Sequence, residues 1–252
     1  IIAFQNRTLK IQKVFTEGQR KHMLSDTDVF ITGSDQIWNT AYAYNPTMFL
    51  DFARDKKRIA YGSSIGTTDV PNKYSEKVRE HLRLFSHIGV REETAAEILK
   101  KVVGRNDIVQ VLDPTFLLRE GDWIQFAQRA KIEFNIPQKF ILCYLIGNNP
   151  WYVQDVERIK VQTGIEEVII IPAVENPDFK IRDAFVYQDA GPREFIDLIR
   201  RATVVCTDSF HATAISINLS KGFVEFLRFR DSDPNSQNSR IYDILRHHHL
   251  ER

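Results

Sequence analysis

The stretch from Val204 to Ala214 places a serine and a histidine where an apolar strand runs into a helix. The run Thr-Asp-Ser-Phe-His occupies positions 207–211, and the helix opens near Ser209. Backbone N–H groups in the first turn of a helix lack partners within the helix and bind phosphate or carboxylate. A histidine there can add a charge-assisted hydrogen bond or transfer a proton. The alternative is a helix cap beside a structural histidine, and the residues alone favour neither.

Arg91 is a second candidate, because it follows the short apolar strand Ile88–Val90 and precedes the acidic first turn of a helix. Arginine is suited to planar, bidentate recognition of a carboxylate or a phosphate. The alternative is a salt bridge to Glu93 or Glu97, which is common at the start of a helix. The spacing by itself favours the salt bridge.

Several other chemistries are disfavoured by the residues present. We expect no Ser-His-Asp hydrolase, although Gly62–Gly66 matches the pattern G-x-S-x-G once, around Ser64. Neither standard Gly-rich phosphate loop occurs. His247, His248 and His249 are adjacent on a predicted helix, so their side chains point about 100° apart and cannot bind one ion together. The sequence therefore predicts no metal site.

Composition and charge limit the class of protein. The 252 residues include 34 Lys and Arg against 33 Asp and Glu, without the basic excess expected of a nucleic-acid binder. The longest apolar run, Phe140–Ile146, is far too short to span a bilayer. Cys143 and Cys206 lie in apolar runs and are predicted to be buried, reduced thiols, which indicates a cytoplasmic protein. The chain begins with Ile1, and we expect its natural start to be missing.

Strands alternate with helices along the chain, which predicts an α/β fold with mostly parallel sheets. The predicted strands are Val29–Thr32, Met48–Phe52, Arg58–Tyr61, Ile88–Val90, Ile108–Leu112, Phe140–Ile146, Glu167–Ile171, Thr203–Cys206 and Phe223–Leu227. The predicted helices are Tyr74–Phe85, Glu92–Val103, Asp122–Arg129, 150–162, Pro192–Arg201, one opening near Ser209, and Ser239–His248. The stretch Leu118–Pro137 is interpreted as a passage between two domains.

Polar and small residues gather where successive strands end. They include Gly33-Ser34-Asp35, Ser63-Ser64, Arg91-Glu92, Asp113, Asn148-Asn149 and Thr207-Asp208-Ser209. In open α/β sheets the ligand crevice lies outside the carboxyl ends of the strands, so two such sheets can place these groups around one cleft. The alternative is that loops of α/β proteins are polar and Gly-rich in any case.

Six blocks of the sequence resemble those of polysaccharide pyruvyl transferases, in the same order and at similar spacing from Asp28 to Arg252. They are Phe30–Asn39, Phe49–Phe52, Lys57–Gly66, Val90–Glu93, Val111–Thr115 and Thr207–His211. Two positions depart from the family pattern. Ala212 stands where many members have glycine, and Ser209 stands where some branches have an arginine, which removes one cation from the expected phosphate site.

The resemblance implies two Rossmann-like domains facing across a cleft, as in GT-B glycosyltransferases. We expect an N-terminal domain at residues 1–118, incomplete at its start, and a C-terminal domain at 119–252 that includes the final helix. The implied activity is transfer of the enolpyruvyl unit of phosphoenolpyruvate to two hydroxyls of a sugar in surface polysaccharide biosynthesis. The acceptor is a sugar or a lipid- or nucleotide-linked precursor, and a lipid-linked one would bring the protein to the membrane periphery.

The resemblance also implies roles for individual residues, with phosphoenolpyruvate as co-substrate and with no cofactor or metal. The expected catalytic residues are His211, Arg91 and Asp35. The expected substrate-binding residues are Gly33, Ser34, Ser63, Ser64, Glu92, Asp208, Ser209, Phe210 and Arg240. Two other functions stay open at this stage: a GT-B-type glycosyltransferase that uses a nucleotide sugar, and a catalytically inactive relative that acts as a binding protein.

Overall fold

The computed structural model describes residues 16–41, 43–53, 55–174, 179–233 and 236–251. The strands are β1 (Val29–Thr32), β2 (Lys57–Ser63), β3 (His87–Val90), β4 (Ile108–Gln110), β5 (Ile141–Tyr144), β6 (Val168–Ile170), β7 (Phe185–Val186), β8 (Val204–Thr207) and β9 (Phe223–Glu225). The α-helices are α1 (Glu17–Asp26), α2 (Asn72–Leu82), α3 (Glu93–Val103), α4 (Glu120–Ala127), α5 (Tyr152–Thr163), α6 (Pro192–Arg201), α7 (Phe210–Asn218) and α8 (Ser239–His247).

Contacts between residues divide the chain into two units. The first unit contains the described residues up to Pro114 and those from Phe229 onward, and the second unit is Thr115–Arg228. Each unit has one sheet whose described strands are all parallel, which confirms the predicted α/β class with parallel sheets. No helix within the described ranges has the length and apolarity needed to cross a membrane.

The sheet of the first unit has the strand order β1-β2-β3-β4. Helix α3 packs on it because its apolar residues recur at helical spacing and form a single face. These buried residues are Ala95, Ala96, Leu99 and Val103. The helix ends at Gly104, whose φ of 72° lies in the left-handed region where glycine is favoured as a C-cap. Because the strands of this sheet are parallel, their carboxyl ends lie at the same edge, and α3 begins after β3 at that edge.

The sheet of the second unit has the strand order β7-β6-β5-β8-β9. Helix α6 spans the predicted residues and begins with Pro192, which lacks the N–H that the first helical turn cannot use. Cys143 and Cys206 are Cα partners on neighbouring strands, and both are free and fully buried. The prediction of two buried, reduced thiols is confirmed.

One predicted strand is wrong. Pro46–Phe49, which overlaps the strand expected at Met48–Phe52, forms a 3₁₀ helix. Asn45 caps it by accepting a hydrogen bond from the N–H of Thr47, and proline suits the first helical turn. Phe49 is buried and stacks on Trp38, so the apolar residues here fill a core without strand alternation.

Two features differ from the predicted domain organisation. The final helix belongs to the first unit, where the carboxylate of Asp243 accepts a hydrogen bond of 3.2 Å from the hydroxyl of Thr94. The stretch interpreted as a passage between domains is part of the second unit, because α4 buries Ala127 in the same core as Leu198 of α6. Neither packing partner is close in sequence, so local patterns did not indicate them.

Candidate functional site

The most prominent polar cluster of the first unit surrounds Arg91, which directly follows β3. The backbone N–H of Arg91 donates to the carbonyl of Ser63 and continues the ladder beyond the strand ends. Its side chain is only 1% exposed, and Nη1 lies 3.1 Å from Oδ2 of Asp113, whose side chain is equally buried. On another side, Nη2 lies 3.5 Å from Oδ1 of Asp35, whose side chain is 62% exposed. The carboxylates beside the guanidinium therefore include a buried one, Asp113, and an exposed one, Asp35.

The loop after β1 reaches the same cluster. Gly33 has a φ of 135°, and a Cβ there would stand 1.9 Å from the carbonyl oxygen of Tyr61, so only glycine fits. The next residue, Ser34, donates a hydrogen bond of 2.7 Å from its hydroxyl to Oδ2 of Asp113. The close approach of the chain at Gly33 thus brings Ser34 and Asp35 against groups that follow β3 and β4.

Glu92 adds a buried carboxyl group to this cluster. It is 3% exposed, and its Oε1 lies 3.8 Å from Nε of Arg91. Burial raises the pKa of Glu92, and this effect outweighs the lowering by Arg91, Ser64 and Arg240. The group is therefore more readily protonated than an exposed glutamate.

In place of the salt bridge expected to Glu93 or Glu97, Arg91 forms ion pairs with Asp113, Asp35 and Glu92. Glu97 instead pairs with Lys100 at 2.8 Å. The first unit thus brings together eight of the residues expected at a site. They are Gly33, Ser34, Asp35, Ser63, Ser64, Arg91, Glu92 and Arg240, of which Ser63, Ser64, Arg91, Glu92 and Arg240 are buried.

The second unit carries the other four expected residues at the start of α7. Ser209 is the N-cap of this helix, and its hydroxyl accepts from the N–H of Ala212. Phe210 is buried, and His211 is partly buried with its ring perpendicular to that of Phe210 at 5.5 Å between centroids. The cap confirms the predicted helix start. His211 follows strand β8 and lies at the carboxyl edge of the sheet.

Asp208 faces inward at this edge and has a fully buried side chain. Its carboxylate accepts hydrogen bonds from the backbone N–H groups of Ile146 and Gly147, at 2.7 and 2.6 Å, and from the hydroxyl of Tyr152 at 2.8 Å. Nε of Arg228 lies 3.4 Å away. Burial, and then the Asp208 carboxylate, raise the pKa of Tyr152. Asp208 therefore anchors the loop that follows β5.

Three residues of these clusters were not predicted as site residues. Asp113 was noted only as a polar residue after a strand, and its position gave no indication of the Arg91 contact. Tyr152 and Arg228 gave no signal, because each meets Asp208 across more than 15 residues, with separations of 56 and 20 positions. Their roles depend on sheet order.

A polar cavity of about 400 Å³ lies in the first unit. Its lining is made of hydroxyl, amide and carboxyl groups from Thr68, Asp231, Ser232, Asp233, Ser236, Asn238, Ser239 and Tyr242. Oδ1 of Asp231 accepts hydrogen bonds from Tyr242 and Asn238, which lowers the pKa of Asp231. Burial and the Asp231 contact raise the pKa of Tyr242 to about 12. Such a lining suits a ligand rich in hydroxyl groups.

The structure indicates no metal centre in the part of the chain that it describes, where no three His, Cys, Asp or Glu side chains are grouped to hold an ion. The candidate chemistry is that of a buried guanidinium with polar neighbours in the first unit, and of a histidine at a helix start in the second.

Two parallel sheets with polar groups at their carboxyl edges define an α/β protein with Rossmann-like units of the GT-B-like class. Solved structures support this fold. The UDP-GlcNAc 2-epimerase from Methanocaldococcus jannaschii is similar with a TM-score of 0.54, 12% identity, and coverage of 96% of this chain and 80% of that chain. A functional uncharacterized protein from Klebsiella pneumoniae is similar with a TM-score of 0.52, 15% identity, and coverage of 98% of this chain and 82% of that chain.

At these identities the likeness concerns the fold alone. Residues 2–227 match the family of polysaccharide pyruvyl transferases, and the chain belongs to that family. This confirms the resemblance seen in the six sequence blocks. A comparison with curated protein sequences gives no match.

Proposed function

We propose that this protein transfers the enolpyruvyl unit of phosphoenolpyruvate onto two hydroxyls of a sugar used in a surface polysaccharide. Membership of the pyruvyl transferase family supports a transferase. The observation that carries the choice of an anionic donor is the Arg91 guanidinium, which is held at the carboxyl edge of a parallel sheet with an exposed carboxylate, that of Asp35, on one side. A ligand carboxylate has the same charge and planar acceptor geometry as that carboxylate, and a phosphate likewise offers two oxygens to a guanidinium.

The reaction proceeds by proton addition to the methylene carbon of phosphoenolpyruvate, which gives an oxocarbenium ion at C2. A sugar hydroxyl adds to C2 and loses its proton. The C2–O bond to phosphate then breaks as the leaving phosphate takes up a proton, and a second hydroxyl closes the ketal with loss of its proton. The net products are one pyruvate ketal and one phosphate, so the protein must neutralise an anion and move protons.

We assign roles to residues of both units. His211, with Ser209 and the amides near Phe210, contacts phosphate and transfers the proton, because a helix start supplies N–H donors and imidazole exchanges protons near neutral pH. Arg91 provides the second anionic contact. Asp35, which is exposed, accepts the proton of a sugar hydroxyl. The buried Asp208 acts by holding the loop beside Ser209.

We propose that the sugar acceptor binds in the polar cavity of the first unit. Its volume of about 400 Å³ is within the range of small-molecule sites. Asp231 offers a carboxylate and the serines of the lining offer hydroxyl groups for sugar hydroxyls, and the ring of Tyr242 offers an apolar face. The free, buried Cys143 and Cys206 agree with a reducing compartment, and we propose that the reaction takes place in the cytoplasm.

Calorimetry with phosphoenolpyruvate at millimolar concentration, together with phosphate release in the presence and absence of candidate acceptors, tests this function. We expect binding by the parent protein and phosphate release only with a suitable acceptor. Arg91→Ala weakens binding at least about tenfold, since a charge-assisted contact is lost. His211→Ala lowers turnover by about a hundredfold or more, the usual contribution of a general acid.

Two exposed residues provide matched controls. Arg158→Ala is the control for Arg91→Ala, because the Arg158 side chain is 72% exposed. His22→Ala is the control for His211→Ala, because the His22 side chain is also 72% exposed. Both control variants should bind and turn over like the parent. Stabilisation by uridine or guanosine diphosphate, with no binding of phosphoenolpyruvate, would contradict the proposal and favour a nucleotide-sugar glycosyltransferase. Retained ligand binding in both alanine variants would favour a binding protein.

A further inference from the structure

Two of the carboxylates beside the Arg91 guanidinium, those of Asp113 and Asp35, differ in burial, and this difference separates their functions. We propose that Asp113 is a positioning residue that holds Arg91 in place, and that Asp35 occupies the side of the guanidinium that an anionic ligand takes. The inference rests on the proposed role of Arg91 as an anion contact. It gives Asp113 a role that neither the sequence nor the family match indicated.

The Asp113 side of the guanidinium is built as a permanent contact. Oδ2 of Asp113 is shared by Nη1 of Arg91 at 3.1 Å and the hydroxyl of Ser34 at 2.7 Å. The Asp113 and Arg91 side chains are each 1% exposed. Breaking a buried, hydrogen-bonded ion pair is costly, because it leaves an uncompensated charge in a low-dielectric environment. The pair therefore persists when a ligand binds.

Backbone geometry also keeps this contact in place. Asp113 follows β4, whereas Arg91 follows β3. Gly62, in β2, has a φ of 68°, and a Cβ there would lie 2.9 Å from Cδ of Pro114 and 3.7 Å from Cγ of Arg91. The absence of a side chain at Gly62 thus lets the residue after Asp113 pack closely. The side-chain amide of Gln110 donates to the carbonyl of Arg91 at 3.1 Å, which fixes the backbone from the β4 side.

The Asp35 side has the properties of an exchangeable contact. Its Oδ1 lies 3.5 Å from Nη2 of Arg91, which is long for a charge-assisted hydrogen bond, and the Asp35 side chain is 62% exposed. Exposed ion pairs contribute little, since water competes for both charges. The same Oδ1 accepts a hydrogen bond of 2.8 Å from the backbone N–H of Gln36. Asp35 therefore keeps a partner when an anion replaces it beside Arg91.

Neutralising the two aspartates should have opposite effects on anion binding. In Asp113→Asn the guanidinium loses its buried anchor, and we expect binding of inorganic phosphate to weaken about tenfold, the size of one charge-assisted hydrogen bond. In Asp35→Asn a competing negative charge is removed, and we expect phosphate to bind a few-fold more tightly, the usual scale of an exposed pair. With phosphoenolpyruvate and acceptor, Asp35→Asn should lower KM and kcat together, because the proposed proton acceptor is lost.

The experiment measures phosphate and phosphoenolpyruvate binding by calorimetry for the parent, Asp113→Asn, Asp35→Asn, Arg91→Gln and the double variant Arg91→Gln with Asp113→Asn. The matched control is Asp107→Asn, a 64% exposed carboxylate of the same unit that pairs with Arg105. If Asp113 acts through Arg91, its substitution has no further effect in the Arg91→Gln background. Restored phosphate binding in Asp113→Glu, with a folded circular dichroism spectrum in each variant, also supports the proposal.

Each contrary result has a defined meaning. Additive losses from Arg91→Gln and Asp113→Asn, or weaker phosphate binding in Asp35→Asn, overturn the inference. Arg91-dependent binding of phosphate without binding of phosphoenolpyruvate refutes the proposed reaction and leaves the inference standing. Phosphate and phosphoenolpyruvate binding that does not depend on Arg91, or no binding at all, overturns the inference together with the anion-contact role of Arg91.

Discussion

Replacing Asp208 by alanine should destabilise the second unit more than any exposed aspartate of that unit can. The carboxylate is fully buried and accepts hydrogen bonds from the N–H groups of Ile146 and Gly147 and from the hydroxyl of Tyr152. The truncation removes these acceptors at once. It leaves two backbone N–H groups without their partner at a site that a methyl group cannot fill.

The magnitude follows from these contacts. A buried donor that loses its partner costs about 1–3 kcal/mol, so the two backbone N–H groups together account for about 2–6 kcal/mol. Arg228 adds little, because its Nη2 still donates the hydrogen bond of 3.0 Å to the backbone carbonyl of residue 208. We expect a loss of about 4 kcal/mol in the free energy of unfolding. Asp208→Asn should lose about half as much, since its one amide oxygen still accepts a hydrogen bond.

Urea unfolding, combined with hydrogen exchange of the backbone amides at 146 and 147, measures this effect. The matched control is Asp155→Ala, whose partner is the exposed Arg158 at 3.1 Å on the same helix. That pair is worth less than about 1 kcal/mol. If Asp208→Ala and Asp155→Ala destabilise the protein equally, or if the two amides keep their protection, Asp208 is not the anchor described above.

Two further predictions concern a buried carboxyl group and a glycine. Burial raises the pKa of Glu92 above its ordinary 4.5, so ionisation of Glu92 opposes folding at neutral pH, and this cost fades as the pH falls towards 4.5. The Glu92→Gln variant should therefore unfold at a higher urea concentration than the parent at neutral pH. This difference should disappear on acidification. A constant difference across this range would contradict the raised pKa. A Cβ on Gly147 would lie 2.5 Å from the hydroxyl of Tyr152 and 2.7 Å from Oδ2 of Asp208, so Gly147→Ala should cost about 1–3 kcal/mol in urea unfolding. Gly121→Ala, in open space within a helix, should instead stabilise by about 0.5–1 kcal/mol, and equal effects of the two substitutions would refute the steric explanation.

Local patterns predicted most of the elements with small errors at their ends. Helix α6 was predicted with the correct bounds, because Pro192 marks its first turn and a clear apolar stripe follows. The 3₁₀ helix at Pro46–Phe49 was missed because a short apolar run fits a strand equally well. Helix α1 was missed because it buries no residue, so its sequence has no apolar stripe to indicate a helix.

The sequence by itself determined the α/β class, the family and the positions of Arg91, Ser209 and His211 at the ends of strands. These features depend on residue periods, turn residues and motif order, which are local along the chain. Only the tertiary structure decided that Arg91 meets Asp113, 22 positions later, and that Asp208 faces inward. Sheet order and helix packing select such partners, because they bring together side chains whose sequence separation carries no period that a pattern could reveal.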